Sequence, residues 1–417
     1  MNLLLKSATI IDKSSPFHLQ KMDILIENGI ITKIAKSIKN DASIKEIKLE
    51  NLHISQGWFD TSVCFGEPGF EERETIENGL KTAAKSGFTA VAVNPNTNPV
   101  ADNKSAIEFI KNKANDFATS LYPIGNLTKK AESKDIAELY DMQNSGAVAF
   151  GDYNKPISSA NLLKIGLLYA QNFDGLVLSF PQDNEIASNG LVNEEKNSTK
   201  LGLKGIPAMA EELQIVRDLF ILEYTGGKLH IPTISTEKSV KLIKDAKKKG
   251  LNVTCSVAAH HLVLTDNELT KFDSNTKVSP PLRTLKDTKA LIKGLNEGII
   301  DIITSDHNPI DIEHKKVEYE NAKFGTIGLE SLFGALNKIV ETETLIKCLT
   351  VNPRNRFNLE NLTINEGVKA NLTLFNPDFE YEFMAANIIS TSKNSVFLNK
   401  KLNGKVYGII ANNKVVL

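Results

Sequence analysis

The sequence predicts an α/β fold, a parallel (β/α)8 barrel joined to a small β-sandwich that both chain ends build. Three features predict it. Short apolar runs alternate with stretches of helical period through the middle of the chain. Both ends are rich in strand signals and poor in helix signals. The middle is also long enough for a barrel, which takes about 250 residues.

The ends can be read first. Residues 3–11 and 22–34 are rich in aliphatic and β-branched side chains, and Glu27-Asn28-Gly29 places a turn inside the second run. Residues 370–375, 395–398, 405–410 and 414–417 read as strands too, with Asn412-Asn413 as a turn. A sandwich from residues 1–53 and 365–417 around a barrel over residues 54–364 accommodates both sets. In the middle, residues 54–59 read as the opening strand. Six helix-then-strand alternations follow: 74–86 before 88–93, 133–144 before 147–150, 159–172 before 175–178, 211–224 before 228–231, 236–249 before 251–257, and 285–296 before 299–304.

Composition narrows the function. The 417 residues include 49 basic and 50 acidic side chains, 41% hydrophobic and 24% charged, the profile of an ordinary globular protein. A net charge of −1 without a basic cluster argues against nucleic-acid binding. The lysine-rich residues 241–249 alternate with apolar positions and read as the solvated face of a helix. Cys64, Cys255 and Cys348 lie far apart with no C-x-x-C spacing, which predicts a reduced, cytoplasmic protein. Leu3-Leu4-Leu5 is cut short by Lys6, so neither a signal peptide nor a membrane span is expected.

In a barrel of this kind the chemistry sits just past the C-terminal strand ends. That rule selects Asp60 with the loop to Gly69, then His260 and His261, then Asp306 and His307. Around these positions, Asn94-Pro95-Asn96-Thr97, Leu201-Gly202-Leu203-Lys204-Gly205-Ile206-Pro207 and Ser279-Pro280-Pro281-Leu282-Arg283 form distinctive motifs. Together they resemble the dihydroorotases of the amidohydrolase superfamily over nearly the whole chain. The resemblance implies an amidohydrolase-type TIM barrel with a terminal β-sandwich, agreeing with the reading from periodicity.

The catalytic equipment departs from that pattern. The family hydrolyses or closes a cyclic amide with zinc, and zinc needs imidazole, carboxylate or thiolate ligands. Its first strand ends in Asp-x-His-x-His-x-Arg-Glu-Pro-Gly, whereas this chain runs from Asp60 to Gly69 with Ser62 and Cys64 for the histidines and Gly66 for the arginine. The family's Asp-Asp-Gly becomes Asp152-Tyr153-Asn154, and its His-x-Glu-Asp becomes Phe180-Pro181-Gln182-Asp183. His-x-x-His becomes His230-Ile231-Pro232-Thr233, and Asp-His-Ala-Pro-His becomes Asp306-His307-Asn308-Pro309-Ile310. Asn96 remains, and Ser279 stands where the family has an asparagine before Pro-Pro-Leu-Arg.

All four metal-ligating histidine positions are therefore substituted, by Ser62, Cys64, Phe180 and Thr233, with Asp152 and Asp306 left over. The resemblance then implies no catalytic zinc, with Asp306 a vestigial catalytic residue and Asn96 a vestigial substrate contact. His260, His261 and His307 are expected to serve packing and hydrogen bonding. Such inactive family members are implied to act as structural or regulatory partners of aspartate carbamoyltransferase in pyrimidine biosynthesis, and a homodimer is the default oligomer. One alternative is an active cyclic amidohydrolase, dihydroorotase or hydantoinase/allantoinase-like, holding zinc through Cys64, Asp152 and Asp306. Another is a small-molecule binding module anchored by Asn96 and Asp306.

Overall fold

The computed structural model describes residues 1–40 and 44–417. Eight parallel strands form the barrel in chain order: Trp58–Val63, Phe88–Val93, Ser120–Gly125, Ala149–Phe150, Leu176–Leu178, Lys228–Ile231, Val253–Ala258 and Ile302–Thr304. A parallel bridge between Val63 and His307, with the Cys64 N–H donating to the His307 carbonyl at 2.7 Å, joins the last strand to the first. Every residue of the first two strands is buried, as expected where helices cover one face and the barrel interior the other. Phe59, Ala92, Ile124, Leu178, Ile302 and Phe357 pack the barrel interior.

Six of the seven barrel strands read from periodicity lie in these positions. The seventh reading, residues 54–59 as one strand, is corrected: it splits at Gly57 into His53–Gln56 and Trp58–Val63. His53–Gln56 pairs antiparallel with Leu372–Phe375 in the terminal sheet, so Ile54 lies outside the barrel. Asp60 consequently sits within the first strand, not at its end. Gly57 is needed at the junction, because a Cβ there would meet Asn371 Oδ1 and Thr89 Oγ1 at 2.1 Å. Ser120–Gly125 was not expected as a strand; Pro123 interrupts its apolar pattern. Residues 133–144 are helical only over Leu139–Asn144.

The terminal sheet draws strands from both ends, including Leu3–Ile10, Lys21–Glu27, Ile30–Ala35, Leu372–Phe383, Lys400–Ala411 and Lys414–Val416. The expected turn forms, with Asn28 and Gly29 both at positive φ. Residues 395–398 are not the expected strand; a turn spans 396–399, and Val396 and Phe397 are buried against Phe383 and Leu402 instead. Sheet and barrel meet around Trp58, whose indole N–H donates to Ser55 Oγ at 2.9 Å and whose rings pack against Phe88, Phe333 and Phe375. No helix among the described residues is long and apolar enough to cross a membrane.

Candidate active site at the barrel mouth

The barrel brings four of the substituted positions together. Ser62, Phe180 and Thr233 line one cavity, with Asn94, Tyr153 and His230 among their neighbours. Cys64 joins them through Asn94, whose amide donates to Ser62 Oγ at 3.1 Å and to Cys64 Sγ at 3.7 Å. Asn94 has no counterpart in the sequence-level site, although its place at the end of the second strand marks it. The backbone is strained along this rim. Tyr153, Thr233 and Asp306 follow the fourth, sixth and eighth strands at φ of 48°, 53° and 48°, a region that costs most for β-branched Thr233.

The cavity is nearly filled. The buried Phe180 side chain and the Tyr153 ring occupy the mouth and leave about 20 Å³, room for about one water molecule. Small-molecule pockets start at about 300 Å³. His230 also faces this space, but both ring nitrogens are engaged, Nδ1 with Thr254 Oγ1 at 2.8 Å and Nε2 with Ser256 Oγ at 3.2 Å. Burial holds this imidazole neutral, far below its ordinary pKa.

The carboxylates behave differently from one another. Asp60 accepts the Ser62 and Ser305 N–H groups at 3.0 and 2.9 Å, yet burial pushes its pKa up to about 6. Asp306, beside it, is pushed well above the ordinary carboxylate range by burial and by the Asp60 charge. Asp152 is turned away from the cavity. It accepts the Thr128 N–H at 3.0 Å, the Thr128 hydroxyl, and the Asn126 amide at 3.3 Å. The expected grouping of Cys64, Asp152 and Asp306 is thus not assembled, because Asp152 is spent on clamping the loop after the third strand.

These donors do not fit zinc. The four positions offer two hydroxyls, a benzyl ring and a thiol that burial raises to about 12, where a thiolate or imidazole is required. Among the described residues no three His, Cys, Asp or Glu side chains converge to hold a metal ion. Asn96 lies in the loop after the second strand, outside the lining of the cavity, and its Oδ1 is buried without a partner. Neither Asn96 nor Asp306 lines this cavity. Gly66 also leaves no room for the family's arginine, since a Cβ there would meet the Phe70 carbonyl at 2.0 Å.

His260, His261 and His307, outside the mouth, are buried. His261 Nε2 bonds the Pro280 carbonyl at 3.0 Å, and its ring lies 4.4 Å from that of His260. His307 Nδ1 accepts the Gly328 N–H at 3.2 Å, and the ring meets Phe65 edge-on. Burial lowers His261 and His307 to about 4 and holds His260 well below its ordinary value. The two sequence motifs meet each other here. Arg283 donates to the Ile206 carbonyl at 2.8 Å, to Asn193 Oδ1 at 2.8 Å and to Ser235 Oγ at 3.1 Å. Its guanidinium lies 3.9 Å from Glu211, which also accepts the Ser239 hydroxyl at 2.6 Å and the Ser235 N–H at 2.8 Å.

Comparison with known proteins agrees with this architecture. Residues 53–239 match the family described as Dihydro-orotase-like. A dihydroorotase of Pelotomaculum thermopropionicum is 38% identical over 424 residues, covering 100% of this chain and 99% of that protein. A dihydroorotase of Acetivibrio thermocellus is 39% identical over 423 residues, with the same coverage of 100% and 99%. In fold, the chain superposes on the L-hydantoinase (dihydropyrimidinase) from Arthrobacter aurescens with a TM-score of 0.86 at 20% identity, covering 100% of this chain and 97% of that one. Barrel, terminal sheet, docked motifs and full-length identity converge: the chain belongs to the dihydroorotase-like family.

Proposed function

We propose that this chain is a dihydroorotase-family protein of pyrimidine biosynthesis that has lost its zinc centre and serves as a non-catalytic structural or regulatory partner of aspartate carbamoyltransferase. One observation carries the loss of catalysis: Phe180 fills the mouth at one ligand position while Ser62, Cys64 and Thr233 occupy the others. Metal-assisted hydrolysis needs three good protein ligands and an open site for water. Without zinc, water keeps its bulk acidity, and Asp306 has no activated nucleophile to serve. The partner role rests on the family resemblance together with an intact scaffold, since a fold persists when its site changes.

Turnover of carbamoyl aspartate and of dihydroorotate by tag-free protein, with and without added zinc, tests the first half. No turnover from a folded sample is expected, and zinc-dependent turnover overturns the reading. Co-sedimentation with aspartate carbamoyltransferase from the same cells tests the second half. A complex of fixed stoichiometry is expected, and independent sedimentation at micromolar concentrations overturns it.

A further inference from the structure

A buried polar atom without a partner is rare in a folded protein. Gln56, at the end of the strand His53–Gln56, is 3% exposed and keeps its Oε1 buried with no partner. The orientation of this amide is fixed from its other end. Gln56 Nε2 donates to Asp12 Oδ1 at 3.0 Å, so a flipped amide would set its oxygen against a carboxylate. Asp12 is itself held by the Ser14 N–H at 3.0 Å and the Ile364 N–H at 2.8 Å.

Gln56 also lines a cavity of about 190 Å³ that shares no residue with the barrel mouth. The loop over residues 11–18 of the terminal sheet covers one side of it. The barrel helices Thr342–Leu349 and Val351–Arg356 close the other. Ile11, Ile346 and Val351 form an apolar wall. Glu343 is matched by Lys13 at 2.6 Å and by His18 at 3.3 Å, and Lys347 is exposed at the rim. The Thr350 hydroxyl donates to the Ile346 carbonyl at 2.7 Å. What the cavity offers inside is apolar surface, room, and one acceptor that lacks a donor.

We propose that this cavity binds an uncharged single-ring compound of the lactam class, whose N–H donates to Gln56 Oε1. The volume sets the size, since a cavity of about 150 Å³ takes one benzene ring. The wall sets the polarity. Its carboxylates already have donors, so a charged ligand would lose hydration without gaining a buried counter-charge. The unpartnered oxygen sets the functional group, because only a ring with a proton to give satisfies it. A ring seated there touches the sheet loop and both helices, and so ties the terminal sheet to the barrel. The inference is independent of whether the mouth is catalytic.

Saturation-transfer NMR on the full-length protein tests it with two probes of one shape. These are 2-piperidone and δ-valerolactone, the lactone with a ring oxygen in place of the N–H. The lactam is expected to saturate with a Kd in the millimolar range, and the lactone to bind roughly tenfold more weakly. Val351→Phe fills the cavity from a half-buried position and abolishes binding. Gln56→Met removes the acceptor and brings the lactam down to the level of the lactone. Melting curves check that both variants fold, and the two-probe comparison on the unaltered protein needs neither of them. No lactam binding at about 50 mM overturns the proposal. So do equal affinities for the two probes, which mean that water serves Gln56, and undiminished binding to folded Val351→Phe, which places the ligand elsewhere.

Discussion

At the barrel rim, the contact between residues 201–207 and 279–283 keeps its buried charges partnered. Arg283 reaches the Ile206 carbonyl, Asn193 and Ser235, and stands opposite Glu211. A short way across the same rim, Asp60 and Asp306 lie side by side, and the forces on them are burial and mutual repulsion, with hydrogen bonds in partial compensation. The difference lies in what a substitution leaves behind. In the Arg283 network each group is needed to keep another buried group satisfied, so folding itself holds the set together. Metal ligands satisfy a metal, and where no metal is held their positions can be filled by whatever packs. Phe180 and Tyr153 pack.

This contrast can be broken most directly at Arg283. Arg283→Met strands Glu211 in the interior and is expected to destabilise the protein by about 4 kcal/mol, read from urea midpoints; a loss below 1 kcal/mol would mean that the network is not cooperative. At the mouth, Phe180→Ala removes packing and no charge partner. A loss of about 3 kcal/mol is expected, together with new space at the cavity, and a neutral result would show that the ring is not filling the site.

Acid titration separates the two regions by sign. His261 is held neutral, from 6.5 down to about 4. Its contribution is complete above the unfolded pKa and is lost as pH falls through the folded one, on the order of 3 kcal/mol. Asp60 runs the other way, raised from 3.8 to about 6, so its protonation relieves the native state as pH falls through that window. Stability measured from pH 7 to 4 should therefore fall less steeply in His261→Gln and more steeply in Asp60→Asn. Equal slopes in both variants would refute the assignment.

Smaller effects sharpen the same comparison. Asp152→Asn leaves Thr128 short of one acceptor and should cost about 1 kcal/mol, and calorimetry should show no zinc binding to either the parent protein or the variant. If Asp152 were a metal ligand, zinc affinity would fall with it. The smallest expected effect is none. Ser62→His/Cys64→His returns two imidazoles to the first strand, but Phe180 and Thr233 still occupy the remaining positions, so no zinc-dependent turnover should appear. Activity in this double variant would show that the mouth opens more readily than its packing implies.

Much of the fold was legible because the signal is local. Alternation of strand and helix periods marked Phe88–Val93, Lys228–Ile231 and Val253–Ala258. Ser120–Gly125 escaped because Pro123 breaks its pattern, and Gly57 hid a strand boundary inside a continuous apolar run. Residues 395–398 carry strand-like side chains that a turn buries just as well. The site was legible through the family resemblance, which marks Ser62, Cys64, Phe180 and Thr233 as the ligand positions, and a serine, a phenylalanine or a threonine is a poor or absent metal ligand wherever it points.

Residue type and periodicity alone determined the barrel and the strand-rich ends, because each depends on neighbours in the chain, while the family resemblance marked which positions at the mouth to compare. Only the tertiary structure decided where the surviving groups aim. Asp152 turns to Thr128, 24 residues away, and Arg283 reaches Ile206 across 77. An apolar outer stripe on the helix Ala208–Thr225 was likewise invisible in sequence, where an apolar residue reads as core until the packing shows which face is already covered.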